Sequence, residues 1–264
     1  MNIFIRELKA NLKSLLIWSV IITLLIMIAV AKFSAFAGDP SMLAVLDSMP
    51  PALLDAMNMR AFNLTTLGGF YGLMFLYFAL MGAIAAAMWG SDIISKEERD
   101  KTVEFSLVLP ISRSRVVTAK ALAALVNCIA FVLITWGISV AAVQSYHPDQ
   151  AFYDFLTLEM EAMLMIELIF LAIGLFLGCA MKQYKRSGST AVAIILVTYI
   201  LSVASTMKDN LDFLKYVTPF RYFDAGELFR SGRMDGTYLL LSAAIIVVSV
   251  AGAYLVYNKR DLYI

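Results

Sequence analysis

Glu159, Glu161 and Glu167 stand close together where a long apolar run begins, and a carboxylate at membrane depth is costly enough to count as a functional hypothesis by default. Glu167, about one turn inside that run, has the chemistry to bind a proton or a cationic group of a substrate. The bland alternatives are a side chain that reaches back to the interface or pairs with a loop cation. Residue type excludes other chemistry. There is no GxxxxGK[ST] phosphate loop; the nearest sequence, KRSGST at 185–190, lacks the leading glycine. The single histidine, His147, rules out HExxH metal catalysis and reads, beside Pro148, as an exposed turn residue. No GxSxG elbow occurs. Cys128 and Cys179 fall inside apolar runs without a CxxC pair, so they read as small packing residues. A net charge of +1 gives no basic field for nucleic acid. The expectation is therefore a chain that is not an enzyme and that binds no metal or cofactor of its own.

The elements that hold these residues are set by hydrophobicity. Of the 264 residues 61% are hydrophobic and 16% charged, and the mean hydropathy is +0.80, which places the chain among all-α integral membrane proteins. A helix needs about 20 apolar residues to cross a bilayer. Six segments qualify, near 15–31, 67–89, 121–143, 163–181, 189–206 and 238–257, forming one transmembrane domain over 1–264. AFAG at 35–38 resembles a signal-peptidase site, but the preceding run of about 17 residues exceeds a usual signal core and Lys32 interrupts it, so the first span is expected to be retained. With both termini in the cytoplasm, fourteen of the 21 Lys and Arg fall on the cytoplasmic side of the cell membrane, as the positive-inside bias requires.

Three pieces lie outside the spans. The opening NIFIRELKANLKSLL sets Ile5, Leu8, Leu12 and Leu15 at helical spacing and predicts an amphipathic interfacial helix that precedes the first span. The outer loop around Pro50 and Pro51 predicts two short amphipathic turns. The aromatic segment before the last span predicts a layer on the outer face, with Phe220, Tyr222, Phe223 and Phe229 at headgroup depth. Within the spans, Gly82, Ala86 and Gly90 recur every four positions, as do Gly174 and Gly178. Such spacing suits close helix contact, either as a movable interface on a substrate path or as ordinary packing.

Charge concentrates in KEERDKTVEFSLVLPISR, residues 96–113. A solvated loop would not need the apolar VEFSLVL inside it. Thr102 can cap a short helix, Pro110 can stop it, and Ser112 or Ser114 can cap the helix leading into the third span. Topology alone does not explain the acids, because Asp and Glu contribute little to the positive-inside bias. A short helix flanked by charge, parallel to the membrane, suits docking to a soluble partner.

At these residues the chain resembles the permease subunits of ATP-binding-cassette (ABC) exporters of the type-2 class. The likeness rests on Glu97 and Glu98, Thr102-Val103-Glu104, the apolar Phe105 to Leu109, Pro110-Ile111-Ser112-Arg113, and Lys120. The amphipathic start, the six spans, Pro219-Phe220 and the ending Tyr257-Asn258-Lys259-Arg260 are also similar. Val103 departs from the family, where a glycine is common near the threonine step, and stiffens the turn. The resemblance implies that residues 92–113 form a coupling helix, with Lys96, Glu97, Glu98, Arg99, Asp100, Thr102, Glu104, Phe105, Pro110 and Arg113 docking to a separate ATPase. It implies two copies of that ATPase carrying ATP and Mg, and pairing of this chain with itself or a close paralogue in the lipid bilayer. Glu167, Gly82, Ala86, Gly174 and Gly178 are the candidates for a substrate path. The other reading is an ion-coupled secondary transporter or channel that uses Glu167 and no ATPase.

Overall fold

The computed structural model describes residues 3–37, 48–50, 54, 62–99, 112–181, 183–207 and 209–259, and no strand occurs among them. The helices are α1 (Ile3–Phe36), α2 (Leu67–Arg99), α3 (Arg113–Val143), α4 (Gln150–Ala180), α5 (Tyr184–Met207), α6 (Pro219–Tyr222), α7 (Ala225–Ser231) and α8 (Gly236–Lys259). Six of them, α1 to α5 and α8, are long and apolar enough to cross a membrane. Ile3, Arg99, Arg113 and Lys259 therefore share one end of the bundle, labelled the inner end irrespective of which side of a membrane it faces.

Local sequence explains the boundaries. Ser112 caps α3 by accepting from the Arg115 N–H, and Asp149 caps α4 by accepting from Phe152 N at 2.9 Å. Asp224 caps α7, and Gly232 ends it at φ +63°, a conformation that favours glycine. Asp235 accepts from the Thr237 N–H at 2.6 Å ahead of α8; that bond holds its carboxyl below the usual carboxylate range.

Three expected boundaries are corrected. The interfacial helix is not separate: no proline or glycine interrupts the 34 residues of α1, so its opening turns continue straight into the first span. At 1.5 Å per residue α1 is about 51 Å long, against a hydrocarbon core of about 30 Å, so one end must project. α4 starts at Gln150 rather than 163, because its acids do not break the helix. α2 continues past 89 to Arg99. The Pro50-Pro51 turns fall largely outside the described residues.

The bundle has a centre and a periphery. The apolar windows of α2 and α4 are each 67% buried, whereas those of α1 and α8 are 17% and 11% buried. α2 packs chiefly on α4; α3 lies on α1, α5 on α2, and α8 on α4. The central pair runs parallel and meets backbone to backbone. A Cβ on Gly178 would lie 3.2 Å from the Ser91 Cα, one on Gly90 would lie 2.8 Å from the Leu175 N, and one on Gly174 would strike the Ala87 backbone. Ala86 is buried in the core. The small-residue spacing thus serves an interface within one chain, where close approach recovers dispersion energy that lipid does not supply.

Gly174→Ala should therefore lower thermal stability in detergent, by about 1–3 kcal/mol as for overpacking. Gly137→Ala should raise it by up to about 1 kcal/mol, since a Cβ there meets nothing within 4 Å in mid-helix.

Candidate functional site

At the inner end, α3 carries a buried stripe of Val116, Val117, Lys120, Ala123, Ala124, Asn127, Cys128 and Phe131. Lys120 is the cation on that stripe, and its side chain is 0% exposed. Its Nζ reaches Glu7 Oε1 of α1 at 3.1 Å and the Ile93 carbonyl of α2 at 2.7 Å. One ammonium group thus ties three helices, and the helices it joins on either side, α2 and α3, are those that frame residues 100–111. Desolvating a lysine is tolerable only with such partners. A second tie joins Trp89 Nε1 to Ser14 Oγ at 3.0 Å.

The sequence pointed to Lys120 through the family resemblance alone and assigned Glu7 to the polar side of an interfacial helix. The structure splits that face: Leu8 and Leu15 pack against the core. Ile5 and Leu12 are 48% and 51% exposed, while Glu7 is 1% exposed and lies on the protein side with Ile22, Ala29 and Phe33. Spacing holds the missed signal, since positions 7, 18 and 29 repeat at 11 residues and stay on one side of a straight helix.

The docking residues divide. Lys96, Glu97, Glu98 and Arg99 lie in the last turns of α2, so this part of the segment is helix continuous with the second span. Asp100, Thr102, Glu104, Phe105 and Pro110 lie outside the described residues. Arg113 opens α3, and its Nη1 donates to the carbonyls of Tyr257 and Asn258 in α8, each at 3.4 Å.

The acids of α4 are deeper than their position in the sequence suggests. Glu159 and Glu167 are completely buried; Glu161 is exposed. Neither carboxylate oxygen of Glu159 has a hydrogen-bond partner among the described residues, and the polar group beside the Glu167 carboxyl is the Cys128 thiol. Glu167 does not reach the interface, and it pairs with no cation among the described residues. It rests on Gly82, where a Cβ would stand 2.6 Å from Oε1 and 2.7 Å from Met163 Cε, and Cys128 lies beside it. Glu159 lies near the hydroxyl of Tyr71, which hydrogen-bonds Ser139. The two buried carboxyls stand about two turns apart on α4. Gly82 and Glu167 are brought together, while Ala86, Gly174 and Gly178 line the neighbouring turns of the α2–α4 contact.

The outer aromatics also differ from expectation. Phe220, Tyr222 and Phe223 are 3%, 4% and 1% exposed, wedged among the helix ends rather than facing headgroups. Phe220 packs 5.3 Å from Phe170 and 5.8 Å from Tyr199. Phe229 is half exposed but meets Phe155 at 4.9 Å. Burial, then the stacked Tyr238, pushes the Tyr222 hydroxyl up from its ordinary value. Beneath this layer, Leu76, Ser202, Thr206, Phe220 and Asp224 line a cleft between α2 and α5 that the sequence did not reveal. His147 is an exposed turn residue at φ 47°, as expected.

A family model described as ABC-2 family transporter protein matches residues 1–262. The chain belongs to the ABC-2 transporter family: it is a multi-pass membrane protein and a permease component of an ABC transporter, a transport part that is not itself catalytic. Permeases of this family generally work with an ABC ATPase partner. No curated protein matches the chain.

Lys120→Met should destabilise the protein by about 3–5 kcal/mol by taking the buried cation away from Glu7, and Glu7→Gln should also destabilise it. The double variant should recover much of that loss, since an apolar or neutral pair avoids desolvation. Thermal unfolding of all four proteins in one detergent reads the coupling.

Proposed function

We propose that the chain forms the translocation path of an ATP-driven exporter in the cell membrane, with both termini in the cytoplasm. It pairs with a second copy or a close paralogue, and two copies of a separate ATPase bind the ATP and Mg. The supporting observation is that the charged segment after α2 is bracketed by helices tied through Lys120, within a chain of the ABC-2 family. A push on residues 92–113 from a closing ATPase would reach α1, α2 and α3 together through that ammonium group. The substrate crosses between helices whose outer ends are covered by the Phe220 layer.

A tagged chain purified gently from its native membrane should carry a near-stoichiometric soluble protein with a phosphate-loop motif. In the reconstituted complex, Glu98→Lys and Glu104→Lys should each cut transport-coupled ATPase activity by about tenfold or more, the scale of reversing one contact charge, with membrane insertion intact. Normal coupling in both variants would remove the coupling-helix reading. A second reading, ion-coupled transport without an ATPase, draws on the buried Glu167. Proton-driven flux in nucleotide-free vesicles, lost in Glu167→Gln, would favour it.

A further inference from the structure

Between α3, α4 and α8 the bundle leaves an apolar groove that opens sideways. Ala121, Leu122 and Leu125 of α3, Leu171 and Leu175 of α4, and Val250 of α8 form its walls. Its inner end is shut by the hydrogen bond between Thr118 Oγ1 and Tyr254 Oη at 2.7 Å. Just below, Arg113 and Ser114 bond to Tyr257 and Asn258. The two helices are thus pinned by polar contacts at one end and stand apart above them.

The cavity volume is about 310 Å³, at the lower end of ligand-sized pockets and larger than a packing defect. From Tyr254 to Ile246 the groove follows α8 for about 12 Å, close to the half-thickness of a hydrocarbon core of about 30 Å. Its contents must therefore be hydrocarbon from a single leaflet, because unfilled walls would forfeit their dispersion contacts. Among the described residues, the rim supplies charge of one sign. Arg115 is exposed on α3 one turn below Thr118, and Lys259 is exposed at the end of α8. Arg115 makes no ion pair with a described residue.

We propose that this groove binds one anionic glycerophospholipid, with an acyl chain between α3 and α8 and the phosphate at Arg113, Arg115 and Lys259. Its placement in the inner leaflet rests on the sidedness proposed above, but the site does not depend on the ATPase partner. A net negative headgroup suits three cations, whereas a zwitterionic one brings its own cation into the same rim. The occupied groove would stiffen the α3–α8 contact next to the Lys120 tie.

The test uses the full chain, delipidated in detergent and titrated in native mass spectrometry with phosphatidylglycerol, with phosphatidylcholine of the same chains, and with chainless glycerol 3-phosphate. The expected result is one retained phosphatidylglycerol per chain, weaker retention of phosphatidylcholine and none of glycerol 3-phosphate. Arg115→Gln should weaken phosphatidylglycerol about fivefold, the attraction one cation has for an anionic leaflet. Leu122→Trp, on the exposed rim, should abolish retention while helicity is kept. Equal retention of both lipids, unchanged in Arg115→Gln, would overturn the headgroup assignment. Undiminished retention in Leu122→Trp would overturn the groove. Altered self-association in that variant with lipid retention intact would give the face to a second copy and overturn the proposal. ATPase co-purification is read separately, so the two proposals fail independently.

Discussion

The close backbone approach of α2 and α4 is the constraint on which the rest depends. In a bilayer the hydrophobic effect does not drive helices together, so a central pair must be held by contact distance, and contact distance is set by side-chain size. Gly90, Gly174 and Gly178 allow main chain to lie against main chain. With that axis fixed, α3, α5 and α8 have a surface to pack on, and α1 joins through α3. Any relative movement of the helices must either preserve this seam or break it as a unit, because interlocked backbone does not deform gradually.

Polar groups then mark where the bundle is held and where it carries unspent chemistry. At the inner end, Lys120 has a carboxylate and a carbonyl, and Trp89 has a hydroxyl. Halfway along, Glu167 lies against Gly82, Met163 and Cys128, with no cation among the described residues paired to it. The contrast separates a structural tie from a group retained at a cost. Such a cost is borne most readily where a carboxyl acts during a transport cycle, which is why the ion-coupled reading keeps a specific residue to stand on.

The six spans were legible because each contains a long apolar run, and the capping by Ser112 was legible because cap chemistry is local. Helix ends were not. Glu159 looked like the end of a span, yet a carboxyl turned toward a protein interior does not stop a helix. The charged Lys96 to Arg99 likewise extend α2 rather than leave it. The face of α1 was misjudged for a physical reason: in water all four apolar residues would seek protein, whereas in lipid Ile5 and Leu12 can face outward while Leu8 and Leu15 pack inward and Glu7 reaches Lys120. Spacing alone carries no sign for which solvent applies. Phe220 and its neighbours were legible as an aromatic cluster, but their burial arises from contacts with Phe170 and Tyr199, far away in sequence.

One half of the Lys120 tie is made to a main-chain carbonyl, that of Ile93, not to a side chain. Every amino acid supplies that oxygen, so the identity of residue 93 can drift over evolutionary time without dissolving the contact, provided the local helix persists. Glu7 has no such freedom, since only an acidic side chain of the right reach replaces it. Among related chains the two partners of Lys120 should therefore diverge at different rates, with the ammonium group and its carboxylate changing together and the residue at the carbonyl changing alone.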